Sequence, residues 1–257
     1  NNLDYKKYLI DANNNYMVHG KDNIVFHTII FPSLLIAMNE NYKLPTDIVS
    51  SEFLNLNGQK ISKSLGNYQE IEDILKIGDS DTLRFYLMAH GPERKDSDFT
   101  INDYKSIHNS EIVNKFANFI NRTINFKNLE KISVSSLDKQ VEEKIKQTYK
   151  LIGSNIEKYE FRDACKNLLE FCDFANTYYD SNKPWILFKE DLEKFNTIMY
   201  NCLTISINMA QLFYPFTPRA SRRILVHLNL ENLNWIPARV DFEYLAKNME
   251  PLFQRIK

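Results

Sequence analysis

The sequence predicts a mainly α-helical protein with a small α/β part at its N-terminal end. Two observations predict this division. Five of the six glycines fall within the first 91 residues, and Gly153 is the exception. From residue 102 onward, apolar residues recur at the spacing of long amphipathic helices. A front part rich in loops therefore precedes a helical back part.

Three helices and a strand region are predicted in the front part. Helical periodicity predicts a helix over residues 24–38, and acidic residues at the start of two further segments predict short helices over 68–78 and 80–90. Apolar runs within residues 46–57 are typical of strands. A charged connector, residues 93–98, leads to the back part.

The back part is predicted to be an antiparallel helix bundle. Its helices are expected over residues 102–127, 138–153, 155–181, 187–213 and 218–228. Prolines 184, 215 and 218 fall at the expected breaks, because proline interrupts a helix interior. The tail, residues 229–257, is expected to end in a helix that packs back on the protein.

The composition is that of a globular protein that is neither disordered nor embedded in a membrane. Hydrophobic residues make up 44% and charged residues 25% of 257 residues, a length that allows two domains. No apolar run approaches the roughly 18 residues of a membrane span, so we expect a cytoplasmic protein without a membrane partner. The net charge of −1 provides no general positive field, so any RNA contact must be local.

The cysteines and histidines indicate neither a disulfide framework nor a metal site. Cys165, Cys172 and Cys202 form no Cys-x-x-Cys pair, and the five histidines are scattered. We therefore predict buried, reduced thiols and no metal site within this chain.

A lysine-rich segment, residues 58–67, reads Gly-Gln-Lys-Ile-Ser-Lys-Ser-Leu-Gly-Asn. Lys60 and Lys63 lie on either side of Ser62 and can form a mobile cationic loop over a polyphosphate, because an ammonium on a flexible stem needs no fixed geometry. Such a loop would stabilise charge on a leaving pyrophosphate. The alternative is a solvated loop that carries two lysines.

Residues 20–27 open the first long helix with a second polar patch. Gly20 and Asp22 there are consistent with ordinary helix capping. Phe26 and His27 follow, and a histidine on an apolar helix face is often a satisfied core residue. On residue types alone, this patch does not decide between capping and a binding site.

The bundle carries a polar row and an aromatic turn. Asn118 and Arg122 fall opposite the apolar stripe of their helix and can offer an amide and a guanidinium to bases and phosphate. Trp185 follows Pro184 at a helix junction and can stack an unpaired base, an interaction worth about 1 to 3 kcal/mol. The alternatives are a solvated polar face and an aromatic plug at the end of the bundle.

These segments together resemble the methionyl-tRNA synthetase family of class I aminoacyl-tRNA synthetases. Ile61 stands in the methionine position of the family's lysine loop, and the terminal segment 250–256 is also similar. The resemblance implies the remnant of a Rossmann-type catalytic domain, a stem-contact region, a helical anticodon-binding domain and a tail. Their expected ranges are residues 1–67, 68–101, 102–228 and 229–257.

The same resemblance implies a role for each of the residues above. Catalysis would involve Lys60, Ser62 and Lys63; ATP or the adenylate would contact Gly20, Asp22, Lys60 and Lys63; Phe26 and His27 would line the methionine pocket; Asn118, Arg122 and Trp185 would bind the anticodon. ATP with Mg²⁺ would be the cofactor of the parent enzyme, and the anticodon stem-loop of tRNA-Met the partner.

One expected motif of class I synthetases, a His-Ile-Gly-His type segment, does not occur in the sequence. We therefore expect part of a methionine-tRNA ligase that is inactive in aminoacylation alone and uses ATP and methionine only together with an N-terminal half. The alternative is a natural truncated paralogue that binds tRNA or dimerises. In that case a homodimer would form through the surface that truncation exposes.

Overall fold

The computed structural model of the protein describes residues 4–230 and 233–257. They fall into two compact units. The first comprises the chain up to Tyr68 together with Gly91–Phe99, and the second comprises Gln69–His90 together with Thr100–Lys257. The molecule is mostly helical with a small sheet part, which confirms the predicted fold class.

The first unit contains the α/β part. Its elements are α1 (Tyr5–Leu9), β1 (Tyr16–Gly20), a 3₁₀ turn (Lys21–Asn23), a π-helical turn (Phe26–Ile30), α2 (Phe31–Ala37), β2 (Asp47–Ser51), β3 (Leu54–Leu56), β4 (Gln59–Lys60) and β5 (Ser97–Phe99). β1 and β2 pair in parallel with the helical segment between them, as in a Rossmann-type βαβ unit. β3 pairs antiparallel with β4 and parallel with β5.

The second unit is the helix bundle. Its elements are α3 (Ile71–Ile77), α4 (Ser80–His90), α5 (Ile101–Ile107), a π-helical segment (His108–Ala117), α6 (Asn118–Ile124), β6 (Lys131–Ile132), α7 (Lys139–Glu157), α8 (Phe161–Asn182), α9 (Pro184–Glu190), α10 (Leu192–Phe213), α11 (Pro218–His227) and β7 (Tyr244–Leu245). Every residue from 198 to 213 of α10 is buried, so α10 is the central helix.

Among the helix boundaries that differ from the sequence prediction, two have a clear local cause. The helix expected over residues 187–213 is divided into α9 and α10 at Asp191, whose carboxylate accepts a hydrogen bond from the Lys194 N–H at 3.0 Å and caps α10. The helix expected from residue 155 begins only at Phe161. Tyr159 has a φ of 62°, a left-handed conformation that ends α7.

The tail does not end in a helix, contrary to expectation. Within residues 233–257 the regular element is β7, which pairs antiparallel with β6. Pro251 interrupts the helical pattern, and backbone groups of Met249 and Ile256 bond to the side chains of Asn125 and Asn109 instead of to a helical neighbour. Leu252 and Phe253, further along the tail, are buried.

No helix in the described ranges, 4–230 and 233–257, is both long enough and apolar enough to cross a bilayer.

Candidate functional site

The lysine loop extends from the β3–β4 hairpin of the first unit. Asn57 and Gly58 form the tight turn of this hairpin with φ angles of 51° and 75°, the left-handed conformations that a two-residue hairpin turn favours. Beyond Lys60 the chain turns back, and Ser62 and Asn67 exchange backbone hydrogen bonds of 2.8 and 3.1 Å. Two linked turns therefore present the loop between these two residues at the surface.

Asn67 holds the base of the loop, a role that the sequence did not reveal. Its side-chain amide lies 3.3, 3.2 and 3.0 Å from the carbonyl oxygens of Leu56, Gln59 and Lys60, in hydrogen-bonding positions. One amide thus joins both hairpin strands to the returning chain. The available signal was an asparagine directly after Gly66, a pairing typical of turns.

The functional groups of the loop are exposed. The Lys60 Nζ lies 5.9 Å from the centre of the Phe53 ring, and the Lys63 Nζ lies 5.5 Å from that of Tyr68. The hydroxyls of Ser62 and Ser64 are 3.0 Å apart. The predicted catalytic residues therefore share one surface loop that offers two ammonium groups and a pair of hydroxyls to an anion.

Gly20, at the end of β1, lies directly beside the Asp22 carboxylate. A Cβ atom at this position would lie 2.8 Å from the Asp22 Oδ1, so a side chain here would displace the carboxylate from its present position. The glycine therefore allows the Asp22 carboxylate to approach the backbone at the start of the helical segment. The two predicted adenylate residues lie side by side in this turn.

Lys21, between these two residues, connects their turn to the residues directly before β3 and β5. Its Nζ donates hydrogen bonds to Asp96, at 2.8 Å, and to Glu52, and lies 4.3 Å from the centre of the Phe53 ring. The hydrogen bonds to Asp96 and Glu52 raise the pKa of Lys21, and the same contact lowers the pKa of Asp96. Phe53 is therefore flanked by Lys21 and by Lys60 of the loop.

Phe26 and His27 lie on the π-helical turn that precedes α2. Phe26 is 56% exposed. The His27 ring stacks on that of His19 in β1, with centroids 4.4 Å apart, and its Nδ1 lies 3.0 Å from the Asn23 carbonyl oxygen. The role of Phe26 and His27 in a methionine pocket stays a prediction.

The helical segment that carries Phe26 and His27 has an unusually exposed apolar surface. Exposed large side chains include Ile24, Val25, Ile29, Ile30, Leu34, Ile36 and Met38. Leu35 is the buried residue of α2. A helix that is apolar on all sides is normally covered. The predicted homodimer through this surface stays a prediction.

The three predicted anticodon residues come together in the second unit. The Arg122 guanidinium carbon lies 4.2 Å from the centre of the Tyr179 ring and 6.0 Å from that of Trp185. The two rings are 6.1 Å apart, and Trp185 is 44% exposed. Asn118 lies one helical turn before Arg122. The structure thus combines a cation, two aromatic rings and an amide, with one ring partly open to solvent.

A ladder of polar contacts orients these groups. Side chains on the π-helical segment and α6 bond to side chains on α8, in the pairs Lys115–Asp173, Asn118–Asn176 and Arg122–Asp180. Each pair is separated by 58 residues, which shows that the two helical stretches run in the same direction and in register. The α8 partners were not predicted, although their spacing of three and four residues matches that of the predicted row.

Local backbone geometry places Trp185 beside Arg122. Lys183 ends α8 in a left-handed conformation with a φ of 48°, and Pro184 occupies the first position of α9. The Tyr179 hydroxyl donates to the Arg122 carbonyl oxygen at 3.2 Å, and burial raises the pKa of Tyr179 to about 12. Tyr179 is therefore a neutral, fixed support under the guanidinium at pH 7.

All three cysteines are buried, as predicted. Burial raises the pKa of Cys172 and of Cys202, so neither is a reactive thiolate at neutral pH. Across residues 4–230 and 233–257 there is no cluster of three or more histidine, cysteine, aspartate or glutamate side chains that could hold a metal ion.

Comparison with known proteins covers both units. The family model "tRNA synthetases class I (M)" matches residues 1–124, and the model "Anticodon binding domain of methionyl tRNA ligase" matches residues 130–250. Methionine–tRNA ligases of Bacillus anthracis strain CDC 684 and Bacillus cereus strain 03BB102 are each 36% identical over 251 residues. The matches cover 94% of this chain but only 44% of the length of these relatives.

Solved structures show the same fold. The Mycobacterium tuberculosis methionyl-tRNA synthetase in complex with methionyl-adenylate superposes with a TM-score of 0.83 at 22% sequence identity. The superposition covers 93% of this chain and 50% of that protein.

Proposed function

The chain belongs to the methionyl-tRNA synthetase family, and from this premise we propose that it supplies two parts of a methionine–tRNA ligase. The second unit recognises the anticodon of tRNA-Met, and the first unit provides the loop that contacts the phosphates of ATP. The observation that carries the proposal is the arrangement of Arg122 over Tyr179 and beside Trp185, with Asn118 one turn away.

Anticodon recognition uses the exposed side of this arrangement. An unstacked anticodon base lies against the Trp185 ring, since a flat aromatic face accepts any base. The amide of Asn118 and the guanidinium of Arg122 then bond to base edges or phosphate, which adds sequence preference. Asp180 and Tyr179 keep the guanidinium in place before the RNA binds.

The test measures, by fluorescence anisotropy, how tightly the full chain binds a labelled stem-loop with the anticodon CAU. We expect Trp185→Ala to weaken binding by roughly 5- to 150-fold, which corresponds to the loss of about 1 to 3 kcal/mol of base stacking. Trp185→Phe keeps an aromatic face and should retain most of the affinity. Unchanged binding by Trp185→Ala overturns the proposed anticodon site.

The first unit supplies the second part of the proposed function. Lys60 and Lys63 neutralise the phosphates of ATP, which arrives with Mg²⁺, and Ser62 adds a hydroxyl donor. Gly20 and Asp22 contact the adenylate, and Phe26 and His27 contact the methionine side chain. The ammonium groups of Lys21 and Lys60 both lie near the Phe53 ring, which supports a common site for the Gly20–Asp22 turn and the lysine loop.

The ATP proposal is tested by fusing the N-terminal half of the Bacillus anthracis relative to this chain. Methionine-dependent exchange of pyrophosphate into ATP should appear in the fusion and be absent from the chain alone. Lys63→Met should lower exchange by about 100-fold, the usual cost of one electrostatic contact to the transition state. Lys95→Met removes an exposed lysine of the same unit and should have little effect. A folded fusion without exchange overturns the ATP proposal.

The alternative function, a tRNA-binding paralogue without catalysis, is favoured by the position of all three proposed anticodon residues, Asn118, Arg122 and Trp185, within the second unit. It predicts CAU stem-loop binding by the chain together with no exchange in the fusion.

A further inference from the structure

A cluster of arginines on and beside α11 stands apart from the anticodon site. Arg219, Arg222 and Arg223 are exposed and line a hollow of about 560 Å³, which Val226, His227 and Met249 also line. Arg84 of α4 donates a 3.0 Å hydrogen bond to the Pro215 carbonyl oxygen, in the turn that leads into α11. These four arginines form the α11 basic surface.

The positive charge of this surface is only partly offset by a neighbouring carboxylate, since Asp81 interacts electrostatically with Arg219 alone among the four arginines. Within the described part of the chain, none of its four arginines forms an ion pair, whereas Arg122 and Arg239 elsewhere in the same unit do. Asp81, close to the start of α11, is buried and accepts the Ala220 N–H at 2.7 Å. The arginines therefore form a local excess of cations on a chain whose net charge is −1.

Part of the surface is also held in a fixed position. The Arg223 guanidinium donates to the main-chain carbonyl oxygens of Glu250, Pro251 and Leu252 at 3.1 to 3.3 Å. These bonds order the side chain without cancelling its charge. Arg219 and Arg222 lie one helical turn apart and can face adjacent anionic groups on the same side of the helix.

The chemistry of the surface fits a phosphodiester backbone. Guanidinium groups form short, charge-assisted hydrogen bonds with phosphate oxygens, and a row of them contacts successive phosphates without regard to base sequence. Such contacts add affinity and position an RNA, while base-specific recognition takes place elsewhere.

The position of α11 in the bundle separates it from the anticodon site. α10 contains 22 residues, which corresponds to about 33 Å at 1.5 Å per residue. Its first turn follows α9, which carries Trp185, and its last turn leads into α11. A base that stacks on Trp185 therefore cannot also contact the α11 basic surface. α4, which carries Arg84, packs against both α8 and α11 and connects the two regions.

We propose that the α11 basic surface binds the phosphodiester backbone of the helical part of the same tRNA whose anticodon lies at Trp185. This inference rests on the proposed anticodon function and extends it from the loop to the body of the RNA.

The experiment compares two RNAs on the full chain over a series of salt concentrations. One is an intact tRNA-Met transcript, and the other is a CAU stem-loop whose stem is too short to reach α11. Arg219→Gln with Arg222→Gln should weaken binding of the transcript by about 10-fold and reduce the slope of log K against log salt by about 2, one unit for each lost phosphate contact. Binding of the short stem-loop should be unchanged.

Two further variants are the controls. Arg219→Lys with Arg222→Lys keeps both charges and should restore most of the salt slope. Lys150→Gln with Lys166→Gln removes the same charge from exposed positions on α7 and α8 and should leave transcript binding nearly unchanged. Circular dichroism and thermal unfolding check that each variant is folded.

The outcomes separate this inference from the function on which it rests. The inference about the α11 basic surface alone is overturned by any of three results. The two glutamine pairs weaken transcript binding equally, the salt slope stays unchanged in Arg219→Gln with Arg222→Gln, or that variant loses as much affinity for the short stem-loop as for the transcript. Failure of the unaltered chain to bind either RNA overturns the anticodon proposal and this inference together.

Discussion

At the scale of single residues, Asn67 determines the shape of the lysine loop. Its amide lies within hydrogen-bonding distance of three carbonyl oxygens on both strands of the hairpin. We predict that Asn67→Ala lowers the protection of the backbone amides at positions 62 and 67 against hydrogen exchange by about 10-fold. The reason is that a lost hydrogen-bond partner costs roughly 1 to 3 kcal/mol.

Hydrogen exchange followed by NMR measures this protection. Asn55→Ala is the matched control, because Asn55 lies on the same hairpin and its side chain forms no hydrogen bond within the described part of the chain. If Asn67→Ala and Asn55→Ala give the same protection as the unaltered chain, Asn67 does not hold the loop.

The site residues differ in how readily the sequence reveals them. The loop of Lys60 and Lys63 could be predicted because its charges are neighbours in the chain. Lys21 could not, because its partners Glu52 and Asp96 lie 31 and 75 residues away. A sequence pattern shows which groups are available, whereas pairing across that separation depends on the folded arrangement.

At the scale of elements, His108 connects the π-helical segment to α4 and to the tail. Its Nε2 donates to the Gln254 carbonyl oxygen at 2.8 Å, and its Nδ1 lies 3.0 Å from the Thr82 hydroxyl. Burial lowers its pKa below the ordinary value of 6.5, and burial has the same effect on the pKa of His227.

This environment predicts a pH dependence of stability. Below pH 6.5 the unfolded chain takes up protons at these histidines while the folded chain resists them, so the free energy of unfolding falls as the pH falls. Each such histidine contributes a slope of up to about 1.4 kcal/mol per pH unit between its folded and unfolded pKa values.

Urea unfolding at pH 7.5 and at lower pH values measures this slope. His108→Gln should be less stable at pH 7.5 yet show a shallower loss on acidification. If His108→Gln lost stability on acidification as steeply as the unaltered chain, proton uptake at His108 would not be a cause of the pH dependence.

Long helices were easier to predict than short strands for a physical reason. α7 and α8 keep a helical period over 19 and 22 residues, so their apolar faces are visible in the sequence. β5 has only three residues, and its register pairs Leu54 with Ser97. A strand that short is defined by its distant partner, so its own residues carry too little pattern to predict it.

At the scale of the whole molecule, the chain combines a small α/β unit and a helical unit, each carrying one predicted site. The parallel β1–β2 pair and the bundle could both be expected from the resemblance to the family. The exposed apolar surface around α2 could not be judged from the sequence alone, because the same residues would be buried if another segment covered them.

Anticodon specificity is the most direct test of the anticodon function. Anisotropy titrations of the full chain should compare a CAU stem-loop with one in which the first anticodon base is changed, each with the unaltered chain and with Trp185→Ala. If Asn118, Arg122 and Trp185 read the anticodon, the CAU loop binds at least about 10-fold more tightly, consistent with the roughly 1 to 3 kcal/mol of a specific base contact. Trp185→Ala then removes most of this difference. Equal affinity for both loops, or a preference that persists in Trp185→Ala, would contradict anticodon reading at this site.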